Sequence, residues 1–319
     1  MSIRSSLLRN TLRWFVLGPD NSLEKMRTGL ERFGRYTRRN VADWSEVTVG
    51  GIPALRVTPR SEPSGVHVLY LHGGAYNMGS PSSHLGLVSQ IVVRLGATAT
   101  VVDYRLAPEH PYPAAIHDCS AAYRALLEEV DPSSLVVAGD SAGGGATLAT
   151  MVAARDAGDL LPACLYLLSP WTDLTLSGES HQTMRSVDPL IPRGGIEGHL
   201  KLLDDMVDGY RGVEDAGHPG ISPLFADLAG LPPMLVQVGS DETLLSDSTM
   251  LAARAGAAGV DVELDVVDGM WHVWQFLAPM LPEARTALDR AATFVQSRTA
   301  TESQPDATAV GEPTGSGCN

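Results

Sequence analysis

The sequence predicts an α/β fold: a mostly parallel central sheet flanked by helices, with a helical cap. Three observations carry this. Short β-branched and aliphatic runs alternate with longer Ala- and Leu-rich segments along the 319 residues, which is the rhythm of strand–helix–strand units. Five of those runs are nearly continuous in apolar residues, as strands are when a parallel sheet covers both their faces. Residues 171–223 show no strand pattern, a length that reads as an insertion folded over the sheet rather than a connection.

The five apolar strands are "VHVLYL" (66–71), "ATATVVDY" (97–104), "SLVVAG" (134–139), "CLYLLS" (164–169) and "PMLVQVG" (233–239), and "VDVELDVVD" (260–268) is a sixth. Helices are predicted over 83–95, 114–130, 142–157, 246–258 and 282–296, with one more at 196–210 inside the insertion. The earlier runs "SEVTVGG" and "PALRVTP" read as an antiparallel pair at the sheet's leading edge. In "MSIRSSLLRNTLRWFVLG" the longest apolar run is 14–17, too short for a signal peptide or a spanning helix. Ile3, Leu7, Leu8, Leu12, Phe15 and Val16 recur there at helical spacing, which predicts a helix packed on the body. A membrane-surface contact or a homodimer contact is the alternative. The expected organisation is N-terminal cap helices over 1–45, a core over 46–298 with the cap inserted at 171–223, and a disordered tail over 299–319, rich in Thr, Ser, Gly and Pro. No repeat of 20–50 residues is visible, which excludes solenoids and propellers.

Hydrophobic residues make up 44% of the chain and charged residues 19%, enough apolar material for a large core. The formal charge of −14, from 37 acids and 23 bases, argues against a nucleic-acid backbone or an anionic membrane surface as partner. Cys119, Cys164 and Cys318 have neither paired spacing nor histidines at ligand distance, so neither a disulfide framework nor a zinc site is indicated, and a cytoplasmic location fits.

Chemistry concentrates on Gly139-Asp140-Ser141-Ala142-Gly143. This is G-x-S-x-G with a strand before it and a helix after it, the setting in which small flanking residues let a tight turn lift a serine hydroxyl above a sheet. A Gly-rich connection with an incidental serine is the plain alternative. Upstream, at the end of a predicted strand, stands His72-Gly73-Gly74-Ala75-Tyr76. Glycines in such a loop can offer bare NH groups to the oxyanion of an acyl-transfer intermediate. Gly73 and Gly74 are the expected donors, with the Ala142 NH as a third. Neither a P-loop nor a dinucleotide fingerprint accompanies the glycines.

With "HGGAY" at 72–76, "DYRLAPEHPYPAA" at 103–115, "GDSAGG" at 139–144 and "SPWTDL" at 169–174 in that order, the chain resembles the hormone-sensitive-lipase family of α/β-hydrolases, bacterial carboxylesterases of the GDSAG type. The family's third glycine is Ala75 here. The resemblance implies the α/β-hydrolase fold, a Ser-acid-His triad in that chain order, no metal and no organic cofactor, and a structural role for 104–115 in holding the oxyanion loop.

Of nine histidines, His272 is the one in the loop between the last predicted strand and the last helix, where the resembling family places its base. The family's G-x-x-D-P-L, laid over Gly239 without a gap, puts the acid at Glu242. Asp241 needs a one-residue slip and stays open as the alternative, and Asp247 reads as a helix-start or supporting charge. Asp173, Met184, Leu190 and Ile191 stand where pocket lining or ordinary cap packing would come from. The function expected is a serine carboxylesterase acting on a small-molecule ester of short or medium acyl chain. Hydrolysis of an amide, N-acetyl group or lactone with the same triad is the second reading, and a non-catalytic ligand receptor the third.

Overall fold

The computed structural model describes residues 22–189 and 196–299. The amphipathic run at 3–16, Leu190, Ile191, Cys318 and the tail from 300 onward lie outside the described residues. Thr299, where the tail was expected to begin, is instead the buried C-cap of the last helix.

Eight strands form one sheet in the order β1-β2-β4-β3-β5-β6-β7-β8. They are β1 (Ala42–Val49), β2 (Ile52–Pro59), β3 (His67–Leu71), β4 (Thr98–Val102), β5 (Leu135–Asp140), β6 (Cys164–Leu168), β7 (Met234–Gly239) and β8 (Val262–Val267). The pair β1 and β2 is antiparallel, β2 meets β4 antiparallel, and every other neighbour is parallel. The five apolar runs are the five central strands. In β3, β5, β6 and β7 every residue is buried. The edge strand β8 is only partly covered, which is why its sequence alone carries alternating charges.

The helices are α1 (Leu23–Thr37), α2 (Pro81–Leu95), α3 (Ala114–Leu127), α4 (Ala142–Ala157), α5 (Ser180–Thr183), α6 (Ile196–Arg211), α7 (Leu245–Ala257) and α8 (Pro282–Arg298). The two-residue period of a strand sorts side chains to opposite faces. Leu69, Leu71 and Val137 join α3, α4 and α7 in one core layer, while Val68, Tyr70, Val136 and Ala138 join α2 and α8 in the other. Boundaries differ from the sequence expectation where local capping decides. Helix α2 starts two residues early because Ser80 and Ser83 form a reciprocal capping box ahead of Pro81. Helix α3 stops at Leu127, ahead of the 3-10 turn that Asp131 caps at Pro132–Ser134.

The 171–223 segment contains no strand among the described residues and contributes α5 and α6. It and α1 both reach the C-terminal edge of the sheet. Arg27 of α1 donates to the Asn77 and Ala107 carbonyls and grips Glu109 with two nitrogens, while Tyr210 of α6 stacks on Tyr76 with ring centroids 3.7 Å apart. No helix among the described residues is long and apolar enough to cross a membrane.

Candidate active site

In an α/β sheet, the loops leaving the C-terminal ends of parallel strands form a crevice. Here β3 leads into 72–76, β5 into Ser141, β6 into Ser169, β7 into Glu242 and β8 into His272.

Ser141 has φ 54° and ψ −124° between β5 and α4, a conformation costly for a residue with a side chain. The turn closes because α4 lies against the sheet edge at its glycines. A Cβ on Gly143 would stand 2.0 Å from the Leu71 carbonyl oxygen, and one on Gly145 would stand 2.2 Å from that of Trp171. The Ser141 NH donates to Leu168 O, and its carbonyl accepts from Trp171, tying the turn to the end of β6. Six non-glycine residues with positive φ occur among the described residues: Ala75, Tyr76, Ser141, Ser169, Leu176 and Val273. All six belong to this crevice or its wall, and strain kept in one place is typical of a functional site.

His272 Nδ1 donates to Glu242 Oε2 at 2.9 Å. The other Glu242 oxygen accepts from Ser169 Oγ at 2.9 Å and from the Gly239 NH at 2.8 Å. The carboxylate is wholly shielded from solvent, while the imidazole is 22% exposed. Burial works against a protonated His272, but the Glu242 hydrogen bond and charge, with the charges of Asp188 and Asp140, hold its pKa above the ordinary 6.5. Asp241 is turned elsewhere and accepts from Ser240 Oγ. The structure therefore sets Glu242, and not Asp241, against His272.

The oxyanion loop departs from expectation. The Gly73 NH donates to Asp140 Oδ1 at 3.0 Å, and the loop residues that line the cavities beside Ser141 are Gly74 and Ala75. Gly74, Ala75 and Tyr76 have φ of 121°, 53° and 59°, a left-handed path directly after Gly73. Asp140 is fully buried, accepts also from Tyr70 OH at 2.7 Å, and has His84 Nε2 at 3.4 Å. Burial opposes its ionisation, but His84 and the two donors hold its pKa below the ordinary carboxylate value. His72 stacks on Tyr104, whose hydroxyl donates to His72 O, and burial beside His84 pushes its pKa down to about 3.

Asp247 sits in the first turn of α7 but caps nothing there. It accepts from the Thr172 and Asp173 NH groups and from His181 Nε2, fastening the 169–174 loop to α7. Burial raises its pKa against those donors. Asp173 is likewise internal, bonded to Thr175 and Ser177, and neither it nor Met184 lines a cavity beside the serine.

Two cavities share Ser141, Ala75 and His272. One, of about 220 Å³, is walled by Leu30, Phe33, Met78, Trp271, Phe276 and Leu277, with Phe33 of α1 against Phe276. The other, of about 170 Å³, lies against the 171–223 segment, with Trp171, Leu176, His181, Asp188, Leu203 and Leu244 around it. Ser169, Asp140, Asn77 and Arg27 all support the crevice and were missed by the sequence reading. For Asp140 and Ser169 a signal existed, since both fall inside the quoted motifs, whereas Asn77 and Arg27 lie outside them.

Residues 68–276 match the family described as alpha/beta hydrolase fold. The chain is 43% identical over 254 residues to an acetyl-hydrolase of Streptomyces hygroscopicus, covering 79% of this chain and 82% of that protein. It is 39% identical over 233 residues to an esterase of Acinetobacter venetianus, covering 72% and 74%. The crystal structure of an esterase from the bacterial hormone-sensitive lipase family superposes with a TM-score of 0.88 at 38% identity, covering 94% of this chain and 99% of that one. With the strand order, the serine turn and these likenesses together, the chain belongs to the hormone-sensitive-lipase family of the α/β-hydrolase fold and is a hydrolase whose relatives are esterases.

Proposed function

We propose that this protein is a serine carboxylesterase that cleaves small esters of short to medium acyl chain through an acyl-enzyme on Ser141, with no metal or organic cofactor. The observation that carries the reading is the hydrogen bond from His272 Nδ1 to the shielded Glu242, in a crevice where His272 and a strained Ser141 line the same cavities. His272 takes the Ser141 proton as Oγ attacks the ester carbonyl, and Glu242 stabilises the imidazolium and fixes its tautomer. The oxyanion accepts from the Gly74, Ala75 and Ala142 NH groups, the last at the positive end of α4. His272 then protonates the departing alkoxide, and water repeats the sequence to free the acid.

The 171–223 segment and α1 act as the cap, and the apolar cavity takes the hydrocarbon part of the substrate. Cytoplasmic location fits the buried, unpaired Cys119 and Cys164. A second reading, release of acetate from an N-acetyl amide, is supported by the likeness to an acetyl-hydrolase and uses the same groups.

The test is a panel of p-nitrophenyl esters from acetyl to decanoyl, beside N-acetyl compounds and lactones, with a fluorophosphonate label on the purified protein. Labelling of Ser141, with turnover lost in Ser141→Ala by roughly 10⁴-fold or more, is the expected result. Labelling elsewhere, or a retained rate, would overturn the proposal.

A further inference from the structure

The geometry points to Asn77 as a positioning residue that fastens the oxyanion loop to helix α6, an inference that rests on the carboxylesterase reading above. Asn77 is buried at 3% exposure. Its side-chain amide nitrogen donates twice, to the Ala75 carbonyl at 2.6 Å and to the Met206 carbonyl of α6 at 3.0 Å. Both partners are acceptors, so chemistry alone fixes which end of the amide faces them. Its backbone is engaged as well: the NH donates to Gly74 O at 3.0 Å, and the carbonyl accepts from Arg27 Nε of α1 at 2.8 Å. One residue thus joins the loop, helix α1 and helix α6.

The loop needs such a tie. Gly74, Ala75 and Tyr76 are consecutive residues with positive φ, and the two non-glycines hold that conformation only if their surroundings over-determine it. Asn77 clamps the carbonyl of Ala75, the residue whose own NH faces the oxyanion, and the Tyr76–Tyr210 stack clamps the next side chain against the same helix. Helix α6 comes close enough for this because it carries Gly209, where an added Cβ would lie 3.0 Å from Asn77 Oδ1. Asn77 and Gly209 line neither cavity beside Ser141, so their effect falls on the transition state and not on substrate binding.

The experiment compares Asn77→Asp and Gly209→Ala with wild type in the full chain, measuring kcat and KM for p-nitrophenyl acetate, inhibition by butylboronic acid and the thermal midpoint. Asn77→Asp replaces the donor by an oxygen facing two carbonyls. Gly209→Ala perturbs the same contact from the α6 side with a helix-favouring residue, and so keeps the question open if Asn77→Asp does not fold. The expected result is a kcat loss of about 10- to 100-fold in Asn77→Asp, a smaller loss in Gly209→Ala, weaker boronate inhibition in proportion, and KM near wild type. A folded variant with wild-type kcat and boronate affinity, or a loss confined to KM, overturns the inference. Failure of the underlying reading looks different: Ser141→Ala would then keep the wild-type rate, and both proposals fall together.

Discussion

The Gly73 NH donates to Asp140 Oδ1 at 3.0 Å, joining the residue before the serine to the first glycine of a loop on the neighbouring strand. The same carboxylate holds Tyr70 OH and faces His84. Asp140→Ala leaves these groups buried and unpartnered, and should destabilise the fold by about 3–5 kcal/mol and lower kcat by shifting the loop. Asp140→Asn keeps one acceptor and should lose less of both. The folded-state pKa of Asp140 lies below the ordinary value, so its contribution is present above the usual carboxylate range and fades as pH falls through the folded value. Urea denaturation across acidic pH, paired with kcat, checks the order Asn above Ala.

His272 serves as base only when neutral, and its pKa is raised above 6.5. The rate should therefore climb with pH through a value above 6.5 and fall away below it. Glu242→Gln removes the carboxylate that does the raising, so the limb should move to lower pH while the plateau drops by roughly 10²- to 10⁴-fold. Asp241→Asn should leave limb and plateau near wild type, because Asp241 is directed at Ser240. A pH–rate profile of the three proteins decides this, and an unmoved limb in Glu242→Gln would refute the pairing.

Leu30 of α1 lines the larger, apolar cavity. If that space holds the acyl chain, Leu30→Trp should shorten the accepted chain: the acetyl ester keeps its rate while the hexanoyl ester falls by about tenfold or more, at 1–3 kcal/mol of lost contact and crowding. Equal losses on both esters would show that the chain lies elsewhere.

Gly143 faces backbone on the sheet side, with Leu71 O and the His72 carbonyl in the path of any Cβ. Backbone cannot yield as a flexible side chain does, so Gly143→Ala should cost about 3 kcal/mol despite its better helix propensity. A chemical denaturation midpoint at or above wild type would contradict the close approach of α4.

Much of this was legible in the chain because it depends on local period and steric allowance. Buried strands with apolar residues on both faces declare β3 to β7, and G-x-S-x-G marks a turn only small residues can close, so Ser141 stands out. The resembling family's pattern laid over Gly239 favours Glu242 over Asp241, and Glu242 is the residue whose carboxylate accepts from His272. The engagement of Gly73 did not follow from the sequence: two glycines look equivalent in a string, but the Gly73 NH is taken by Asp140, and the cavities beside Ser141 are lined by Gly74 and Ala75. Asp247 reads as a helix-start or supporting charge, and the packing of the 169–174 loop on α7 gives it the supporting role and its partners.

The sequence by itself determined the α/β architecture and the order of the elements, since both are written in spacing and residue type. Tertiary structure alone decided that the Gly73 NH is taken by Asp140, that Asn77 and Arg27 bind three elements around them, and that two cavities meet at His272. Those properties arise from the directions of hydrogen bonds and the contacts of residues far apart in the chain, as between Asn77 and Met206, which no local pattern encodes.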